Sequence, residues 1–218
     1  MFDIFTKTGL IEFIYTLPAL LISLTIHEFA HAYVAYKLGD NSQKSLGRLS
    51  LDPFSHIDLF GFICIALFGF GWGKPVLVDD RNFKNRAKGN MLVSIAGPLS
   101  NLIMALIFTL LLKILLMFNL VTLVVGTLTV KNIIGRMLLL AIEFNIIFAV
   151  FNLLPIPPLD GSKVLFYFLP NKFKKIMYYL EVYSFWIIII LFVTGIGAIL
   201  ITPVVNFIYK LLMFVLVV

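Results

Sequence analysis

Residues 10–36 read LIEFIYTLPALLISLTIHEFAHAYVAY, an apolar run longer than the roughly 20 residues a helix needs to cross a bilayer. Inside it stand His27, Glu28 and His31. On a helix, positions 27 and 31 share one face one turn apart, so both imidazoles reach toward a single cation, and Glu28 lies on the flank of that face. Neutral imidazoles are good zinc ligands, and a carboxylate beside an activated water can take its proton. The bare pattern also occurs on ordinary solvated helix faces. Within a lipid-compatible run that explanation weakens, because ionisable groups at membrane depth are costly and by default mark a site.

The rest of the chain supports a membrane reading. Of 218 residues, 61% are hydrophobic and 13% charged, and the mean hydropathy is +1.05, far from an ordinary soluble domain. Apolar segments fall at 10–36, 57–72, 91–118, 133–154 and 182–218, the last interrupted near Thr202 and Pro203. The expected fold is one all-α polytopic domain over 1–218 with about four to six transmembrane helices. The short, Gly- and Phe-rich run 57–72 is expected to be a re-entrant or β-like element that does not cross. A lone cysteine, Cys64, excludes an intrachain disulfide. The first span is expected to stay attached as an anchor, since its apolar run exceeds a signal-peptide core.

The net charge of +6 does not indicate nucleic acid, because the basic residues sit in loops between spans, where they set topology. Eight of them, from Lys37 to Lys88, lie between the first span and the one opening near Met91; Lys172, Lys174 and Lys175 form a second cluster; residues 119–132 hold only Lys131. If the basic loops face the cytoplasm, the chain enters through the first span, leaves through 91–118, returns through 133–154 and leaves again after Glu181. The HEFAH run then lies about 10 Å below the cytoplasmic end of its helix.

A hydrolytic zinc site needs a third protein ligand. The candidates are His56, Asp160, Glu143, Asp52 and Asp58. Asp160 stands out: it follows Asn152-Leu-Leu-Pro-Ile-Pro-Pro-Leu159 and precedes Gly161. The prolines break the helix and the glycine permits a tight turn, so the aspartate is held on unwound chain at the depth of the two histidines.

HEFAHAYVAYKLGD at 27–40, GRLSLDPFSHID at 47–58, GWGKPV at 71–76, SIAGPLSN at 94–101 and FNLLPIPPLDG at 151–161 together resemble the site-2 protease family of intramembrane zinc metalloproteases. The likeness is to its compact prokaryotic members, which lack an inserted peptide-binding domain. The resemblance implies His27, His31 and Asp160 as ligands of one Zn2+ per chain and Glu28 as general base. It further implies hydrolysis of a peptide bond in a transmembrane protein substrate, in a prokaryotic cell membrane. Asp52, Leu59 and Gly73 depart from the usual Asn, Pro and Ala; none touches the proposed ligand set.

Other polar residues in the spans invite assignment. Asn152 could hold the substrate backbone or the developing oxyanion, or bond within its helix bundle. Asn145, on nearly the same face, reads as structural. Gly97, Pro98 and Asn101 suit close packing of the second long span, and Asn101 could support the metal helix. His56 could line the entrance, support a ligand, or cap a turn. Glu143 is expected to snorkel to the outer interface. The Gly61–Val78 strip could offer an extended edge to a peptide. Two other readings remain, a metal-permeation or metal-sensing protein and an inactive scaffold. The clustering of polar groups at one depth disfavours the first, and Glu28 disfavours the second.

Overall fold

A computed structural model describes residues 6–68, 71–124 and 129–217. Among these, the helices are α1 (Lys7–Lys37), α2 (Ser42–Ser45), α3 (Leu59–Phe68), α4 (Arg86–Met117), α5 (Val130–Asn152), α6 (Asp160–Phe168), α7 (Lys174–Val182), α8 (Ser184–Val193) and α9 (Ile196–Val217). Among the described residues, four helices are long and apolar enough to cross a membrane, Gly9–Lys37, Arg86–Met117, Val130–Asn152 and Ile196–Leu216, and the bent pair α7 and α8 passes the same test taken together. The protein is an all-α polytopic membrane protein.

Each long helix starts on a side-chain cap where one can be seen. Thr6, Asn85 and Thr129 accept from the backbone N–H groups of Gly9, Lys88 and Asn132, which satisfies donors the first turn leaves orphaned. Hydroxyls within α1 are satisfied inside the helix: Thr16, Ser23 and Thr25 donate to the carbonyls of Glu12, Ala19 and Leu21 at 2.6–2.8 Å. That local bonding lets polar residues sit in a span without exposing unpaired groups to lipid.

α1, α4 and α5 pack together, and α9 adds to α4 and α5. The main core joins Ala105 and Leu112 of α4, Ile142, Ile146 and Val150 of α5, and Val205 of α9. Contacts at the bundle ends fix the directions. Arg136 of α5 donates to the Glu12 carboxylate of α1 at 2.5 and 3.3 Å, and Lys113 of α4 donates to the Val215 carbonyl of α9 at 2.8 Å. At the other end Ala35, Phe83 and Val93 cluster, and Phe151 meets Phe192, ring centroids 5.8 Å apart. Hence α9 begins beside the end of α5 and finishes beside the end of α4, and the chain passes between the ends four times. The basic loops lie at the end where α1 finishes.

The last crossing therefore begins at Ile196 rather than after Glu181. α7 and α8 are bent by 64° to one another, and α8 stops at Gly195, whose φ of +73° is left-handed and favours glycine. Pro203, expected to interrupt the segment, lies inside α9, where the missing N–H costs only one bond of the ladder.

The Gly61–Val78 strip differs from the extended edge expected of it. Its first part is α3, and among the described residues pairing beyond it is the isolated antiparallel bridge between Ile57 and Gly73. The Asp58 side chain accepts from Gly61 N–H at 2.8 Å and starts a helix on LFGFICIALF, because an apolar stretch with no pairing strand satisfies its backbone only internally. Gly61 and Gly71 approach so closely that a Cβ on either would strike backbone of the Gly71–Trp72 or Gly61 segment.

Candidate metal centre

His27 and His31 stack one turn apart on the buried face of α1, and Asp160 is the first residue of α6. The α5 to α6 connection carries it there. Three prolines keep residues 155–158 out of a helix, and Gly161 lies so close to the carbonyls of Leu153 and Leu154 that a Cβ would collide with them. The two Nε2 atoms are 3.0 Å apart, and they stand 3.2 and 3.1 Å from Asp160 Oδ2.

The far side of each ring fixes what faces inward. His31 Nδ1 lies 2.7 Å from the Val93 carbonyl, which can only accept, so Nδ1 carries the proton. His27 Nδ1 lies 2.7 Å from Asn101 Oδ1. Asn101 spends its Nδ2 on the Ser23 carbonyl at 3.1 Å and on Asn145 Oδ1 at 3.0 Å, and Asn145 donates in turn to Ala141 O at 2.8 Å. The amide chain leaves Asn101 Oδ1 as acceptor, so His27 also holds its proton on Nδ1. Both Nε2 lone pairs then point at a carboxylate oxygen that is buried and receives no hydrogen bond. Outer bonds of this kind orient metal-binding histidines.

Three converging lone pairs repel one another unless a cation lies among them. Tetrahedral zinc with arms of about 2.0–2.1 Å sets its ligands about 3.3 Å apart, close to the spacings here, so the donor set fits zinc. Among the described residues these three form the group of His, Cys, Asp or Glu able to hold a metal. An aspartate carboxyl is ordinarily ionised at neutral pH, so the third donor brings the negative charge that a dication needs. Gly97 of α4 backs the site: a Cβ there would strike His31 Nε2 and come within 2.7 Å of His27 Cε1.

Glu28 is half-buried and follows His27 directly on α1. Asn152 closes α5, with its Nδ2 donating to the Phe148 carbonyl at 2.9 Å. His56 does not join the group. It is buried in the loop before α3, where its Nε2 bonds the Ser50 carbonyl at 2.7 Å. The sequence reading missed Val93, whose contribution is a backbone carbonyl, and Phe148, whose ring packs on His27 with centroids 4.7 Å apart. Glu143 is not at the outer interface; it lies mid-way along α5 and faces a cavity.

The model for peptidase family M50 matches residues 15–196. Among curated proteins, "Putative zinc metalloprotease YwhC" of Bacillus subtilis is 40% identical over 192 residues, covering 88% of this chain and 86% of that protein. "Putative zinc metalloprotease Rip2" of Mycobacterium tuberculosis is 34% identical over 158 residues, 70% of this chain and 56% of its own length. "Putative zinc metalloprotease MJ0611" of Methanocaldococcus jannaschii is 30% identical over 157 residues, 72% of each. No solved structure matches the chain. With three buried donors set for zinc inside a helical membrane bundle and the family model spanning most of its length, the chain belongs to peptidase family M50, the site-2 proteases, and is a zinc-dependent metalloprotease.

Proposed function

We propose that the protein is an intramembrane endopeptidase that hydrolyses a peptide bond in the transmembrane segment of a protein substrate, with one zinc ion per chain held by His27, His31 and Asp160. The observation that carries this is the convergence of three donor atoms within 3.0–3.2 Å inside a membrane bundle, with Glu28 on the adjoining turn. The bound ion supplies Lewis acidity toward a water and a peptide carbonyl. The carboxylate of Glu28 takes the proton of the attacking water and passes it to the leaving amine. Val93 and Asn101 keep both Nδ1 atoms protonated and both Nε2 atoms directed inward. Asn152 uses one N–H on Phe148, and its second N–H is free to hold the carbonyl oxygen under attack.

The basic loops argue for a cytoplasmic location of the end nearest the site, and for water entering from there. The test is Glu28→Gln in the full chain, reconstituted in bilayers with single-span substrate candidates. Zinc content is expected to stay at one per chain while cleavage falls about 10²–10⁴-fold. Cleavage undiminished by Glu28→Gln would remove the proposed base, and a metal conduit would show ion flux with no cleavage in either form.

A further inference from the structure

A cavity of about 430 Å3 lies between α5, α8 and α9. Its wall is mostly apolar, but Glu143, Thr202 and Asn206 also line it and no Lys or Arg does. Glu143 stands at mid-span of α5, exposed, with no hydrogen bond or ion pair among the described residues. A carboxylate at that depth is costly unless something arrives to pair with it. Two residues of its wall adjoin the metal centre. Phe148 and Leu159 are in its wall; Phe148 packs on His27 and Leu159 precedes Asp160.

We propose that this cavity receives a side chain of the substrate's transmembrane segment and that Glu143 selects one that donates a hydrogen bond or carries positive charge. The inference rests on the intramembrane proteolysis proposed above. Glu143 is five residues from Phe148, about 7.5 Å along the helix axis, away from the basic end. The selected residue therefore lies about two residues from the cleaved bond if the substrate is extended there, or about five if it is helical. A lipid tail could fill the same volume but would offer Glu143 nothing.

The experiment uses the full chain carrying Glu28→Gln in nanodiscs and a set of single-span Leu/Ala peptides with Lys, Gln, Leu or Glu at mid-span beside a benzophenone. Crosslinks are mapped to protein segments, and cleavage of the same peptides by the unaltered chain is followed separately. Lys and Gln peptides are expected to crosslink to α5 and α9 about tenfold more than Leu or Glu peptides. Adding Glu143→Gln should abolish the preference for Lys, and Glu143→Lys should turn it toward Glu, with zinc content reporting that each variant folds. Equal crosslinking of Lys and Leu peptides, or a Lys preference surviving Glu143→Gln, overturns the inference. Preferential crosslinking with no cleavage of any peptide leaves it standing and sinks the proteolytic reading; cleavage blind to the variable residue does the reverse.

Discussion

Asn101 shows how one amide can set the protonation of His27, a ligand in the proposed zinc site. Its oxygen faces His27 only because its nitrogen is committed to Ser23 and Asn145, so the amide cannot turn over without breaking two buried bonds. Asn101→Leu removes the acceptor and leaves His27 free to protonate Nε2 instead. Zinc affinity is expected to fall about 10–100-fold, measured by competition with a chromogenic chelator, whereas Asn145→Ala, which leaves the Asn101 oxygen on His27 and the Ser23 bond in place, should lose less. Equal losses in the two variants would show that packing, and not the hydrogen bond, is what Asn101 provides. Much of this was legible in the sequence, since HEFAH, Asp160 and Asn101 each carry a polar group that an apolar span would otherwise exclude. The partner of His31 was not legible. A backbone carbonyl has no residue type, and only the register of α4 against α1 brings that of Val93 to the ring.

At the scale of elements, the decisive feature is a short helix used to deliver one side chain. α6 has nine residues, and Asp160 is placed by the approach of Gly161 to the end of α5 more than by its own helix. Gly161→Val would drive a side chain into the Leu153 and Leu154 carbonyls, and α6 would have to slide. A displacement near 1 Å costs about 10²-fold in turnover; that loss, with helicity by circular dichroism unchanged, is the expected outcome. Lys163→Val, on the exposed side of the same helix, is the control and should be near neutral. Similar losses in both would mean that α6 as a whole is fragile. Pro-Ile-Pro-Pro-Leu-Asp-Gly announced this break clearly. The run 57–72 was expected to be a re-entrant or β-like element that does not cross; its Leu59–Phe68 part is a short helix outside the candidate spans, opened by the cap from Asp58. The C-terminal break was sought at Pro203, yet a proline inside a membrane-spanning helix is tolerated, and the stop comes from the left-handed Gly195.

Across the whole molecule, the number of crossings follows from which helix ends meet. α9 finishes where α4 finishes, through Lys113 and Val215, and starts where α5 ends. α7 and α8 together therefore return the chain to the end from which they leave, although their combined composition would suffice for a span. Counting them as a crossing would put the C-terminal segment on the side of the basic loops; four crossings put it opposite. With Cys64 replaced by alanine, single cysteines at Leu120, at Lys174 and after Val218 can be labelled in inside-out and right-side-out vesicles with an impermeant maleimide. The position at Lys174 is expected to react only from the cytoplasmic face, and those at Leu120 and after Val218 only from the opposite face. Labelling after Val218 from the same face as Lys174 would require α9 to be reversed, which would break its pairing with α4 and carry Asn206 and Thr202 away from Glu143. Reaction of Lys174 from the outer face alone would keep the four-crossing bundle but turn it over, so that water would reach the metal centre from outside the cell.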